Sequence, residues 1–319
     1  MEVELLIQNG STVYYPAVLD GVKLTWERRG VPGRLDFRVV KDAKLNFQEG
    51  NPVRLTVDGV PLFYGFVFTK RRDKGRTIDV TAYDQLRYLK NKDTVTEEGL
   101  KASDLLQRLA ADFRLNLGEV EDTGYVIDTI VEENQTLFDM LQNALDETLQ
   151  HTGQLFVLYD AVGKLTLKNI HSMRLDLLID AETAENFDYT SSIDEQTYNK
   201  ISLSFEDEQT GKRERFVAQD GEKMNQWGVL QYHESLRTST GAAAKAEALL
   251  KLYDRKTRRL TIRNALGDLR VRAGSAVMIS LNLGDIIAKQ FMLVEKVSHT
   301  FSADKHLMEL TVIGGDFIG

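Results

Sequence analysis

Cysteine is absent from the 319 residues. Disulfide frameworks and thiolate metal sites are therefore excluded, stability must come from packing and hydrogen bonds, and a cytoplasmic site of synthesis is the matching expectation. Proline is scarce, at 4 residues, and the 23 glycines are dispersed, so no stretch reads as a low-complexity linker and domain boundaries must come from pattern. No run of 18 apolar residues could cross a bilayer as a helix. The opening Met1-Glu-Val-Glu-Leu-Leu-Ile-Gln8 alternates like a strand and carries two acids, whereas an export signal needs a basic start and a longer apolar stretch, so secretion by that route is not expected. Positive charge is in deficit as well. Against 48 Asp and Glu stand 40 Lys and Arg, a net charge of −8, which opposes a phosphate backbone unless a local basic stripe overrides the field.

What is present is the composition of a soluble globular protein, with 42% hydrophobic and 28% charged residues. The length favours two or three packed domains. The first ninety residues read as antiparallel β, a sandwich or barrel: Val22 to Glu27 and Arg34 to Val40 alternate between turn signals at Asn9-Gly10, Asp20-Gly21 and Gly30 to Gly33. After Asn91 the period becomes helical. Ser103 can cap a helix with Leu105, Leu106, Leu109, Ala110 and Phe113 on one face, and Thr136 with Asp139 makes a capping box before Leu137, Met140, Leu141, Ala144 and Leu145. Tyr125 to Val131, Gln154 to Tyr159 and Lys164 to Lys168 read as strands, which makes this middle segment a small α+β domain. Lys200 to Phe205 and Arg213 to Ala218 can pair as a hairpin across a turn at Asp207 to Lys212. A helix at 241–253, capped by Thr240, precedes strands at Leu260 to Arg263, Ala276 to Leu281, Phe291 to Phe301 and Leu307 to Ile313.

Two features stand out. In Leu62-Phe-Tyr-Gly-Phe-Val-Phe68 both strand faces are apolar: Leu62, Tyr64, Phe66 and Phe68 on one, Phe63 and Val67 on the other. Either a later part of the chain covers the second face or another subunit does. Gly65 in the middle signals a bulge or a close backbone approach. The second feature is an internal similarity. Pro52 to Asp84 reads as strand, turn, long aromatic-rich strand, charged turn and strand before an aspartate, and Ser275 to Asp316 repeats that order, its first turn at Asn282 to Asp285. Coincidence or a related pair of barrels would both produce it. In the second case three copies would present six similar barrels about an axis, a way of matching a threefold assembly to a sixfold ring.

Catalytic constellations are not evident. His151, His171, His233, His299 and His306 lack HExxH spacing, and only His299 and His306 lie close, across an expected hairpin turn, where ordinary strand placement outweighs a metal site. No phosphate-binding loop, dinucleotide fingerprint or GxSxG elbow occurs. Glu132-Glu133 and the acids from Glu206 to Glu208 sit at expected turns, where solvated charge is the rule, and adjacency does not make the paired carboxylates of a glycosidase. The basic runs Lys70 to Arg72 and Arg255 to Arg259 read as solvated element ends. Trp26 and Trp227 read as core residues instead of an exposed carbohydrate platform.

Several stretches resemble a known family: Ala82-Tyr-Asp-Gln-Leu-Arg-Tyr-Leu-Lys-Asn91, Ser103 to Phe113, Gly228-Val-Leu-Gln-Tyr232, Ala265 to Gly274, Val294-Glu-Lys-Val-Ser-His299 and Gly314-Gly-Asp-Phe317. Together they are similar to the XkdQ-like hub proteins of contractile-tailed phages and defective prophages, related to late control protein D and gp27-type hubs. The resemblance spans essentially the whole chain. It implies a mainly β fold with an α+β insertion: two tube-like antiparallel β-barrels plus a small α+β domain, with expected boundaries at 1–94, 95–190 and 191–319, the last holding the helix near 241–254. It also implies a non-enzymatic baseplate hub, a homotrimer forming a pseudo-hexameric ring between tail tube and spike, with no cofactor and no membrane insertion. Expected partners are a tail tube or tube-initiator protein, the spike, baseplate wedge proteins and the tape measure protein. Its place would be the tail of a virion or tail-like particle assembled in the bacterial cytoplasm. Leu62, Phe63, Tyr64, Phe66, Phe68, Phe291 and Met292 are the candidate interface or barrel-core residues. The alternative is a tail-associated cell-wall hydrolase or a carbohydrate-binding module.

Overall fold

Alternating residues become strands here wherever a turn stops them. In the computed structural model, which describes residues 1–194, 196–206, 211–236, 239–284 and 286–314, the fold is mainly β, with several antiparallel sheets and a few helices. Seven strands come first: β1 (Val3–Asn9), β2 (Thr12–Tyr14), β3 (Val22–Glu27), β4 (Arg34–Val40), β5 (Pro52–Val57), β6 (Val60–Arg72) and β7 (Thr77–Tyr83). Asp58 and Gly59 turn β5 into β6 with φ of +48° and +77°, the left-handed pair that a two-residue hairpin of matching twist requires. A 3-10 turn, Gln85–Lys90, then leads into β8 (Lys92–Lys101), α1 (Ala102–Asp112), β9 (Leu117–Val120), β10 (Val126–Thr136), α2 (Leu137–Thr152), β11 (Phe156–Asp160) and β12 (Leu165–Asn169). After a second 3-10 turn, Ile170–Met173, come β13 (Arg174–Asp180), β14 (Asn186–Ser192), β15 (Lys200–Glu206), β16 (Arg213–Gln219), α3 (Gly221–Trp227), β17 (Gln231–Leu236) and α4 (Ala242–Tyr253). The chain closes through β18 (Thr257–Leu266), β19 (Ala276–Asn282), β20 (Ile287–Ser302) and β21 (Lys305–Ile313).

The chain forms two compact units, and the larger comprises residues 1–148, 154–188 and 260–319. Its main sheet runs β21-β20-β3-β4-β7-β6-β5-β1-β2, with β19 also on β20 and β13 parallel to β19. The two similar segments seen in the sequence are both antiparallel meanders, β5-β6-β7 and β19-β20-β21. What the sequence did not foretell is the join: β3 pairs with β20 from Glu27↔Lys296 to Val22↔Phe301, so strands from both ends of the chain share one sheet. Asp316, the end of the second repeat, and the turn residue Asp285 lie outside the described residues.

A second apolar cluster in this unit packs α1 and α2 on the β8–β10 ribbon and on β12, through Leu105, Leu106, Leu109, Leu137, Met140, Leu141, Ile127 and Leu167. Thr136 caps α2 as expected, Asp139 N–H donating to Thr136 Oγ1 at 3.1 Å, but in place of the return bond of a full capping box the Thr136 hydroxyl donates to the Asp139 carboxylate at 2.6 Å. Ser103 does not cap α1. The cap falls two residues earlier, at Lys101, whose N–H lies on Asp104, and Ser103 is buried beside Thr123.

The smaller unit, residues 149–153 and 189–259, centres on β15, flanked by antiparallel β16 and parallel β17. α4 covers one sheet face through Ala246 and Leu249 against Ile201, Leu203 and Ala218, and Tyr198, Tyr232 and Tyr253 pack edge and face beside them. Gly241, with φ +71°, holds the α4 cap position expected of Thr240. Most of the β15–β16 turn, residues 207–210, lies outside the described residues. Trp227 corrects another expectation: it is half-buried at the end of the short, surface-lying α3, because no apolar face of that helix is covered, whereas Trp26 is a core residue. Leu105→Ala should empty a fully buried position and lower the unfolding free energy by about 2–5 kcal/mol in denaturant titration.

Candidate assembly surface and its buried anchor

Strand β6 keeps two different faces. Phe63, Gly65 and Val67 are buried, while Tyr64, Phe66 and Phe68 are half-buried. Gly65 is there because β7 comes close: a Cβ at this position would lie 2.2 Å from the Tyr83 carbonyl oxygen and 2.6 Å from the Phe63 ring. The half-buried side chains form a row. Tyr64 meets Phe66 edge to face at 5.8 Å between centroids, Phe66 meets Tyr88 at 6.1 Å, Phe68 meets Tyr83 at 5.4 Å, and the Arg87 guanidinium lies 5.4 Å over the Phe68 ring. Part of the cover for this face thus comes from β7 and the first 3-10 turn. The contact of Tyr83, Arg87 and Tyr88 with β6 has no local signal in the sequence, because it depends on where the turn places them.

That turn is held by Asp84. Its carboxylate, 1% exposed, accepts the N–H of Leu86 at 3.1 Å and that of Gly33 at 2.9 Å, so it caps the turn and ties it to the loop before β4. Burial pushes the Asp84 carboxyl well above the usual carboxylate range, and the neighbouring charge of Asp160 adds to this. Asp160, raised by burial too, accepts the Gly163 N–H at 2.6 Å. Between them lies Arg272, donating to the Asp160 carbonyl oxygen at 2.7 Å and stacking 3.8 Å from the Tyr159 ring centroid; loss of hydration lowers its guanidinium pKa. The strand-ending aspartate at 84 was visible in the sequence, but its partner Gly33 lies 51 residues away and its charged neighbours Asp160 and Arg272 lie 76 and 188 residues away.

The structure does bring His299 and His306 together. His299 Nε2–H donates to the Val271 carbonyl at 2.9 Å, which leaves Nδ1 as the acceptor for His306 Nε2–H at 2.8 Å. Burial, with His306 alongside, pushes His299 down to about 3, so it is neutral. The facing nitrogens are used in this bond, and among the described residues no group of three or more His, Cys, Asp or Glu could hold a metal. The other acids seen in the sequence are engaged locally: Asn143 donates to Glu132, and Glu206 pairs with Arg213, while residues 207 and 208 lie outside the described residues.

Among the candidate interface or core residues, Leu62, Phe63 and Met292 are buried, and Tyr64, Phe66, Phe68 and Phe291 are half-buried. Phe291 lies beneath Arg174, 3.5 Å from the ring centroid, and none of its described ring contacts reaches the β6 row.

A family model described as YQBQ-like matches residues 22–313, from β3 to the end of β21. The chain belongs to the YQBQ-like family. Over 312 residues this YQBQ-like chain is 28% identical to the phage-like element PBSX protein XkdQ of Bacillus subtilis (strain 168), covering 95% of the chain and 94% of that relative. Its fold is similar to that of the 43 kDa tail protein of prophage MuSo2 from Shewanella oneidensis, with a TM-score of 0.73, 13% identity, and coverage of 99% and 100%. It is also similar to the E. coli c3393 protein, a type VI secretion system component with structural similarity to the T4 tail proteins gp27 and gp5, with a TM-score of 0.57, 10% identity, and coverage of 99% and 78%.

Gly65→Ala should destabilise by about 1–3 kcal/mol through overpacking against β7, read from the denaturant midpoint. Because the folded pKa of His299 lies below the ordinary histidine value of 6.5, the unfolded chain binds the extra proton between about pH 6.5 and pH 3. Stability should therefore fall on acidification through that window, by up to about 1.4 kcal/mol per pH unit. His299→Gln should flatten the slope, and an unchanged slope would remove His299 as its source.

Proposed function

We propose that this chain is a structural subunit of a phage tail or phage-tail-like particle: the baseplate hub of a contractile tail, joining the hexameric tail tube to the trimeric spike. The observation that carries the reading is the pair of meanders, β5-β6-β7 and β19-β20-β21, within one chain. If each belongs to one tube-like barrel, three copies present six similar edges around an axis, and threefold symmetry meets sixfold symmetry without a second gene product. The relatives, a phage-like element protein, a prophage tail protein and a secretion component with structural similarity to gp27 and gp5, support the same assignment.

In this role the chemistry is association, not turnover. Buried Leu62, Phe63 and Met292 serve the barrel cores, whereas Tyr64, Phe66, Phe68 and Phe291 retain apolar surface that subunit contact can remove from water, at roughly 25 cal/mol per Å². The remaining partners are a tube or tube-initiator protein, the spike, baseplate wedge proteins and the tape measure protein, in a particle assembled in the bacterial cytoplasm.

Light scattering across a concentration range tests the ring. A molar mass three times the 36.1 kDa of the chain is expected, and a stable dimer would contradict the symmetry. Phe66→Asp should leave far-UV circular dichroism unchanged while abolishing the trimer. In a turbidity assay on purified peptidoglycan the chain should release nothing, and release would favour the hydrolase reading.

A further inference from the structure

The β6–β7 hairpin ends in a tip of unusual charge for so acidic a chain. Residues 71–76 hold four cations and one acid, all exposed: Arg71, Arg72, Lys74 and Arg76 against Asp73. Lys41 adds a fifth cation, its backbone N–H donating to the Arg76 carbonyl and its ammonium to the carbonyls of Asp73 and Gly75. The opposite charge gathers on the β8–β10 ribbon, which carries Asp93, Glu97, Glu98, Asp128, Glu132 and Glu133 against Lys92 and Lys101; the register puts Glu98 and Glu133 on one face and the other four acids on the face of buried Val95 and Ile130. Within the ribbon, Glu97 already pairs with Arg108 and Lys101 with Asp122. Arg71, Arg72, Lys74, Arg76, Glu98, Asp128 and Glu133 make no ion pair with any described residue.

The tip cannot be reached simply by continuing the chain. It lies at the Thr77 end of β7, whereas the chain leaves for the ribbon from the Tyr83 end, roughly 20 Å away at about 3.3 Å per residue. A basic surface and an acidic surface on one chain, unpaired within it, make a self-complementary head-to-tail pair between copies, the kind of contact that closes a ring. The overall charge of −8 argues against a polyanion as the occupant and gives copies a reason to need such a local attraction.

We infer that the β6–β7 hairpin tip of one copy docks on the β8–β10 ribbon of the next. The inference rests on the ring reading above and assigns its orientation. The absence of native cysteine makes the test clean. Lys74→Cys and Glu98→Cys chains, both altered at exposed positions, are mixed and treated with a short bismaleimide. A Lys74→Cys to Glu98→Cys cross-link is expected, located by mass spectrometry, with neither variant linking to itself. The yield should be lost on adding Arg71→Glu and Arg72→Glu to the first chain, and lost in high salt.

A light-scattering trimer that gives no such cross-link overturns the docking and leaves the hub reading standing. A dimer linked only Lys74→Cys to Lys74→Cys overturns both. A chain monomeric at every concentration overturns docking between copies, while the hub reading is then decided by trimer formation on added tube or spike. Retention of a short DNA duplex that is lost with the Arg71→Glu and Arg72→Glu changes, without a cross-link, overturns the docking in favour of nucleic acid.

Discussion

The ladder between β3 and β20 is the constraint on which the rest of the larger unit depends. β20 runs for 16 residues and pairs with β19 along its first half, with β21 along its second, and with β3 across residues 296–301. No short strand could serve three neighbours, so its length and the irregularity between Val294 and Lys296 are structural requirements. Side chains reinforce the seam: Thr25 and Ser298 share a hydrogen bond at 2.9 Å, and Arg28 donates to Glu295 at 2.7 Å. Pairing residues about 270 apart is expensive in loop entropy, and the many backbone bonds formed together offset that cost.

Polar groups buried along the same unit show how such a join is made specific. Asp84 gives up hydration yet satisfies two backbone N–H groups that would otherwise be orphaned, at the turn and at Gly33. Arg272 and Asp160 do related work with a ring stack and a carbonyl acceptor. The His299–His306 bond is of the same kind, since neutral imidazoles can be buried where charged ones cannot. The histidine pair, which in isolation invites a metal reading, is thus accounted for by its bonds to each other and to the Val271 carbonyl.

The aromatic row on β6 is a product of the same architecture. A face of half-buried rings, held by a capped turn and by a glycine that lets β7 approach, is preorganised and would need little ordering if a partner covered it. The chain belongs to the YQBQ-like family, and its fold is similar to that of a prophage tail protein along nearly its entire length.

The sequence by itself determined the elements. Alternation marked β3, β4, β5 and β16 to within a residue or so, Asp58-Gly59 marked the hairpin, Thr136 marked the start of α2, and the order of both meanders could be read directly. Those signals are local, because strand period, turn chemistry and capping act over a few residues. Elements the sequence reading missed include β8, whose six-residue stretch from Asp93 to Glu98 mixes acids and threonines, α3, too short to show a period, and the strands β2, β9, β13, β14 and β17. Ser103 misled because a cap and a buried hydroxyl look alike until Thr123 is beside it. Only the tertiary structure decided that β3 meets β20, that Asp84 finds Gly33 and Asp160, and that the second face of β6 is lined by Tyr83 and Tyr88. These depend on contacts between residues far apart in the chain, where no sequence period records which partner burial will select.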